Sequence, residues 1–78
     1  MDKITENAER NKIKADIFLK NDTKAFIEDF FGTYYWCLIR EVTSEFIKVY
    51  NLAGKRKGET DKLYLVDIIR LEELEEKE

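Results

Sequence analysis

Tyr34-Tyr-Trp-Cys-Leu-Ile-Arg-Glu-Val42, then Thr43-Ser-Glu45, then Phe46-Ile-Lys-Val-Tyr-Asn-Leu52 is the stretch that decides the fold. Two runs rich in β-branched and aromatic residues flank a short polar connection, which is the pattern of adjacent strands joined by a hairpin. Tyr34–Val42 is apolar on both faces of its pleat, with Trp36 and Leu38 on one and Cys37 and Ile39 on the other. A strand of that kind is central in a sheet or strongly bent between two surfaces. In its partner, Ile47 and Val49 share one face while Phe46, Lys48 and Tyr50 share the other.

Toward the C-terminus, Gly54-Lys-Arg-Lys-Gly58 is the most loop-like segment, with glycines bracketing three cations. Leu63-Tyr-Leu65 then reads as a strand, Val66-Asp67 as a bend and Ile68–Leu71 as a further strand. A helix from Asp61 to Lys77 competes, because Leu71–Glu76 is rich in helix formers. The apolar residues between 63 and 71 would go all round such a helix and leave no polar face. Strand to about Glu72, followed by a frayed or helical tail, is therefore preferred.

Toward the N-terminus, Phe26, Ile27, Phe30 and Phe31 fall on a helical stripe, with Asp22 or Thr23 as N-cap and Gly32 as C-cap. The spacing predicts a short helix over 23–31, in preference to a second strand, plugging one end of the sheet. Before it, Ile13, Ala15, Ile17 and Leu19 alternate with Lys12, Lys14, Asp16 and Lys20, with Phe18 as the exception. Period two predicts a half-buried strand ending at Asn21-Asp22. Residues 1–11 are polar; Thr5 is a candidate N-cap for a short helix through Ala8 and Glu9, the alternative being a frayed terminus.

The chain has 78 residues, 44% of them hydrophobic and 40% charged, with no proline and no histidine. That is one domain near the lower limit for an unstapled core, which favours oligomerisation as a source of extra core. The reading divides it into a polar segment 1–11, a small β-barrel domain 12–72 and an acidic tail 73–78. The net charge of -3 is concentrated at the end, since residues 72–78 hold five acids and one base. No apolar stretch approaches the roughly 20 residues of a membrane span, and Met1–Arg10 is unlike a secretory signal. With one cysteine, Cys37, an intramolecular disulfide is excluded. A soluble, intracellular and cytoplasmic protein is expected.

The expected fold is mainly β: a small, strongly bent, five-stranded antiparallel barrel. Three segments carry a family likeness. Lys14-Ala-Asp-Ile-Phe-Leu-Lys-Asn-Asp22 resembles the first strand and turn of Sm-like (Lsm) small barrels. Trp36–Val42 followed by Glu45–Val49 is similar to their long bent central hairpin, and Leu63–Leu71 to their closing pair of short strands. SH3-like barrels share much of the pattern. The resemblance implies nucleic-acid binding and assembly into rings. Members that hold uridine-rich RNA carry an Asp-x-apolar-Asn element in the hairpin and an Arg-Gly or similar pair before the last strands. Here those places read Thr43-Ser-Glu-Phe46 and Gly54-Lys-Arg-Lys-Gly58, so no pocket residues carry over.

The residues themselves point to a polyanion partner through Lys55, Arg56 and Lys57, whose glycine-flanked loop can follow phosphates and release counterions. Tyr34 and Tyr35, with Trp36 and Tyr50, are candidate stacking platforms for bases. The competing reading is a solvated basic loop beside core aromatics. Cys37 reads as a small buried apolar residue, since a nucleophile needs a base and histidine is absent. Asp67 reads as a cap of the bend. Among Glu28, Asp29, Glu41, Glu45, Asp61 and Asp67 no spacing demands a catalytic pair or a metal loop. The expectation is a non-catalytic module without metal or cofactor that binds nucleic acid, RNA ahead of DNA. The alternative is a protein-interaction or homo-oligomeric assembly module that uses exposed edge strands.

Overall fold

The computed structural model describes residues 3–74, with side chains described from Glu6 onward, so the end of the acidic tail, 75–78, lies outside the described residues. Helix α1 (Lys3–Lys20) precedes five strands: β1 (Lys24–Asp29), β2 (Tyr34–Val42), β3 (Phe46–Asn51), β4 (Thr60–Tyr64) and β5 (Ile68–Glu73). A single 3-10 turn, Leu65–Asp67, joins β4 to β5. All ladders are antiparallel, in the order β4-β3-β2-β1-β5. The mainly β expectation and the hairpin of β2 and β3 are therefore present, as is the strand–bend–strand ending.

The sequence order conflicts with a flat sheet. Consecutive strands β4 and β5 occupy opposite edges. Flat, those edges would stand roughly 19 Å apart across four inter-strand gaps, whereas three 3-10 residues advance only about 6 Å. The sheet is thus strongly curled, and a register shift between Ile39 and Glu41 places a bulge in β2 that bends it. It remains open, because no ladder among the described residues joins β4 to β5.

Two expectations are corrected. Residues 12–20 are not a strand but the second half of α1, which runs unbroken across position 12. The run Lys14–Asp22, read above as a first barrel strand, is accordingly helix and turn. Tertiary burial overrides the alternation: Ala15 and Phe18 are buried, with Ala8, Asn11 and Leu19 half-buried on the same helical face. Ile13 and Ile17 stay 64% and 52% exposed. Phe18, the exception to period two, is the residue the helix buries. The N-terminal helix is thus far longer than the short one expected through Ala8 and Glu9, and the Thr5 side chain lies outside the described residues. The helix stops at a Schellman motif: Thr23 N–H donates to the Phe18 carbonyl (2.9 Å) and Asp22 N–H to Leu19 (3.4 Å), with Asp22 at φ 50°.

The second correction is that residues 23–31 are strand and turn, not helix. In β1 the burial alternates, with Ala25, Ile27 and Asp29 inward and Phe26 and Glu28 half-buried on the other face. Phe30 and Phe31, half of the supposed helical stripe, are 74% and 76% exposed in the β1–β2 turn. Gly32, at φ 82°, serves that turn rather than a helix end, and its N–H donates to the Asp29 carbonyl (3.1 Å).

The core lies inside the curl. Ala25, Ile27, Cys37, Ile39, Ile47, Val49, Leu63, Leu65, Ile68 and Leu71 are buried there, and α1 covers them with Ala15 and Phe18. Asn11 fastens the helix by donating from Nδ2 to the carbonyls of Leu65 (3.1 Å) and Ile68 (2.9 Å). The two carbonyls flank the 3-10 turn, where the ladder is interrupted and backbone acceptors need a partner.

Candidate nucleic-acid interface

The register of the sheet separates two faces. Inward pairs such as Ile27–Tyr35, Ile39–Val49 and Ile47–Leu63 alternate with outward pairs on the convex side. The outward pairs include Phe26–Trp36, Leu38–Tyr50, Lys48–Lys62 and Phe46–Tyr64, with Glu41 opposite Lys48 on its β2 side and Glu28 opposite Tyr34. Strand periodicity alone thus lays aromatics and lysines in successive rows on one surface.

At one end of this surface Phe26 lies between Tyr34 and Trp36, its ring centroid 5.7 Å from each. Tyr34 is 49% and Trp36 40% exposed, so these rings keep open faces. At the other end Phe46 and Tyr64 meet edge to face at 6.2 Å. The Lys62 ammonium sits 4.2 Å from the Phe46 centroid and 5.2 Å from that of Tyr64. Between the two aromatic groups Lys48 and Lys62 stand directly opposite each other. Like charges facing across a ladder repel, and neither lysine has an ion-pair partner among the described residues. Glu41, opposite Lys48 on β2, lies outside ion-pair distance, so a bound anion on this face would relieve that repulsion further.

The predicted site residues divide. Tyr34, Tyr35, Trp36, Lys55 and Arg56 line one shallow cleft of about 180 Å³, together with Thr33, Asn51, Ala53 and Gly54. The loop is brought there by the Leu52 N–H, which donates to the Trp36 carbonyl (2.7 Å). Lys55 and Lys57 are exposed. Arg56 is engaged: its Nε donates to Asp61 Oδ2 at 2.8 Å and its Nη2 to Oδ1. Asn51 Nδ2 donates to the same Oδ2 (2.7 Å) and to the Glu59 carbonyl (3.0 Å). The Arg56 guanidinium holds the Asp61 carboxyl below its ordinary value despite partial burial. Arg56 therefore braces the loop, leaving Lys55 and Lys57 as its available cations.

Tyr35 faces inward, and its hydroxyl donates to Asp29 Oδ2 at 3.3 Å. Burial, then the Asp29 carboxylate, raises its pKa, so the phenol stays protonated and is a donor rather than a stacking platform. Cys37 is fully buried, and desolvation, followed by the charge of Asp61, pushes its thiol up to about 12. At neutral pH it is a thiol and no nucleophile.

Sequence reasoning missed Phe26, Phe46, Lys48, Lys62 and Tyr64. The signal existed for β3, where period two already placed Phe46, Lys48 and Tyr50 on one face. What it lacked was the register that sets Lys62 and Tyr64 of β4 beside them. The chain matches no protein-family model, and no curated protein or solved structure is detectably similar to it.

Proposed function

We propose that the protein is a non-catalytic nucleic-acid-binding module that lays a single strand, RNA ahead of DNA, across the convex face of its sheet. The observation that carries the reading is the Lys48–Lys62 pair set between two groups of open aromatic rings. Bases stack on Trp36, Tyr34 and Tyr64, while Lys48, Lys62, Lys55 and Lys57 meet phosphates. Every base has a π-face, so stacking of this kind tolerates sequence, and lysines read charge rather than base identity. The curled sheet with its bulged second strand also supports the finer view of the domain as a small barrel of the Sm-like or SH3-like kind.

The test is fluorescence anisotropy with single-stranded RNA, single-stranded DNA and duplex RNA of about 12 nucleotides, a length within the range one small barrel covers. Single strands are expected to bind with steep salt dependence. Trp36→Ala removes one stacking platform, worth about 1–3 kcal/mol, or roughly 5- to 150-fold in affinity. Lys48→Glu with Lys62→Glu removes two phosphate contacts and lowers the slope against log salt by about 1.4. Wild-type affinity in both variants, with circular dichroism unchanged, removes the proposed face.

A second reading rests on the edges of β4 and β5, which no strand among the described residues pairs. The β4 edge presents Thr60, Lys62 and Tyr64, while the β5 edge presents Arg70, Glu72 and Glu73. Arg70 lies beside Glu28 and Glu72, and Lys62 on one edge with Glu72 and Glu73 on the other suits strand pairing between copies of the chain.

A further inference from the structure

Where β4 and β5 part company, the curl leaves a cleft of about 230 Å³ that reaches the protein interior. It is lined by Asp29, Phe31, Tyr35 and Asp67, and by Lys62 and Tyr64 where it borders the convex face. Asp29 is the unusual member. It is only 6% exposed, yet no cation lies within ion-pair distance among the described residues. Its Oδ1 accepts the N–H groups of Phe31 (3.0 Å) and Thr33 (2.9 Å). Its Oδ2 has a single long bond, from the Tyr35 hydroxyl at 3.3 Å. A buried carboxylate without a countercharge is costly, and an oxygen with spare lone pairs beside an open cleft is a place to receive one. Asp67 adds a second carboxylate whose side chain has no hydrogen bond or ion pair among the described residues. Lys62 also lines the cleft, with its ammonium over the Phe46 and Tyr64 rings and outside ion-pair distance of either carboxylate.

We propose that this cleft receives one primary alkylammonium group, with Asp29 and Asp67 as countercharges and Phe31, Tyr35 and Tyr64 as its aromatic walls. Aromatic faces attract ammonium ions, and carboxylates in a partly desolvated cleft discriminate the cation from a neutral chain of the same length. The ammonium comes from a lysine side chain of a partner or from a free amine. The site shares Tyr64 and Lys62 with the convex face, while its two carboxylates, Asp29 and Asp67, do not belong to that face.

The experiment follows the aromatic carbon–proton resonances of Phe31, Tyr35 and Tyr64 in the intact protein. Three probes are titrated: N-acetyl-lysine-N-methylamide, cadaverine and the neutral N-acetyl-norleucine-N-methylamide. The two cations are expected to shift these resonances and the neutral probe to leave them in place. A lysine amide that binds as tightly as cadaverine identifies a protein side chain as the source; preference for cadaverine identifies a free amine. Asp67→Asn, at a half-buried position that keeps its volume, is expected to weaken the cation about fivefold or more. Equal response to all three probes, or to none, overturns the proposal. Lys62→Met completes the test: cation binding that appears only in that variant means the chain's own lysine fills the cleft, which also overturns it.

Discussion

A single residue, Asp61, decides where the basic loop goes. Its carboxylate gathers Arg56 and Asn51 at once, so the loop folds against the start of β2 and the end of β3. Its folded pKa lies below the ordinary value because Arg56 hydrogen-bonds the charged form. A depressed carboxylate pKa contributes stability that is fully present above the unfolded value of about 3.9 and is lost as pH falls through the folded one. Urea midpoints measured from pH 7 down to pH 2.5 are therefore expected to fall in the wild type below about pH 4. In Asp61→Asn the midpoint starts lower at pH 7 and declines less on acidification. Parallel acid profiles for the two proteins would show that the Arg56 contact contributes nothing to folding. The partner is exposed, so the neutral-pH effect is modest.

At the scale of elements, the legible part of the sequence was the part with one dominant signal. β2 and β3 are rich in β-branched and aromatic residues on either side of Thr43, whose Oγ accepts the N–H groups of Glu45 (3.2 Å) and Phe46 (3.0 Å). Propensity, pattern and turn chemistry agree there, and the strand boundaries follow. Residues 12–20 carry two signals, alternation of aliphatics and the good helix formers Lys, Ala and Leu. The choice between them is made by a distant surface: the curled sheet offers a face for Ala15 and Phe18, and carbonyls for Asn11. Residues 23–31 fail for a related reason. Two aromatics in a tight turn mimic a helical stripe, and only the ladders to β2 and β5 reveal which of the four apolar side chains is buried. For the site, the exposed Tyr34, Trp36 and Lys55 were legible as types on a strand and a loop. The inward turn of Tyr35 was not, because it depends on which pleat face meets the core. The Lys48–Lys62 pair was not, because register across the eight-residue connection 52–59 is invisible in composition.

For the whole molecule, the assembly reading rests on the edges of β4 and β5, which are unpaired among the described residues. In that reading Lys62 on β4 of one copy faces Glu72 and Glu73 on β5 of the next, a heterologous contact of the kind that closes into a ring. Light scattering behind size exclusion is expected to give a mass above 9.3 kDa at low salt. Glu72→Lys with Glu73→Lys is expected to return it to the monomer value; a monomer throughout removes the assembly reading and leaves the convex face untouched. The edges also impose an order in time. β1 to β4 are joined by neighbours along the chain, whereas β5 must find β1, and Asn11 reaches carbonyls 54 and 57 positions away. Contacts that close such long loops form late and open first. In native-state hydrogen exchange α1 and β5 are expected to lose protection together, at a lower opening energy than β2 and β3, and Asn11→Ala lowers that shared value alone. The domain thus behaves as a meander closed by a clasp, with the first and last segments of the chain holding each other shut.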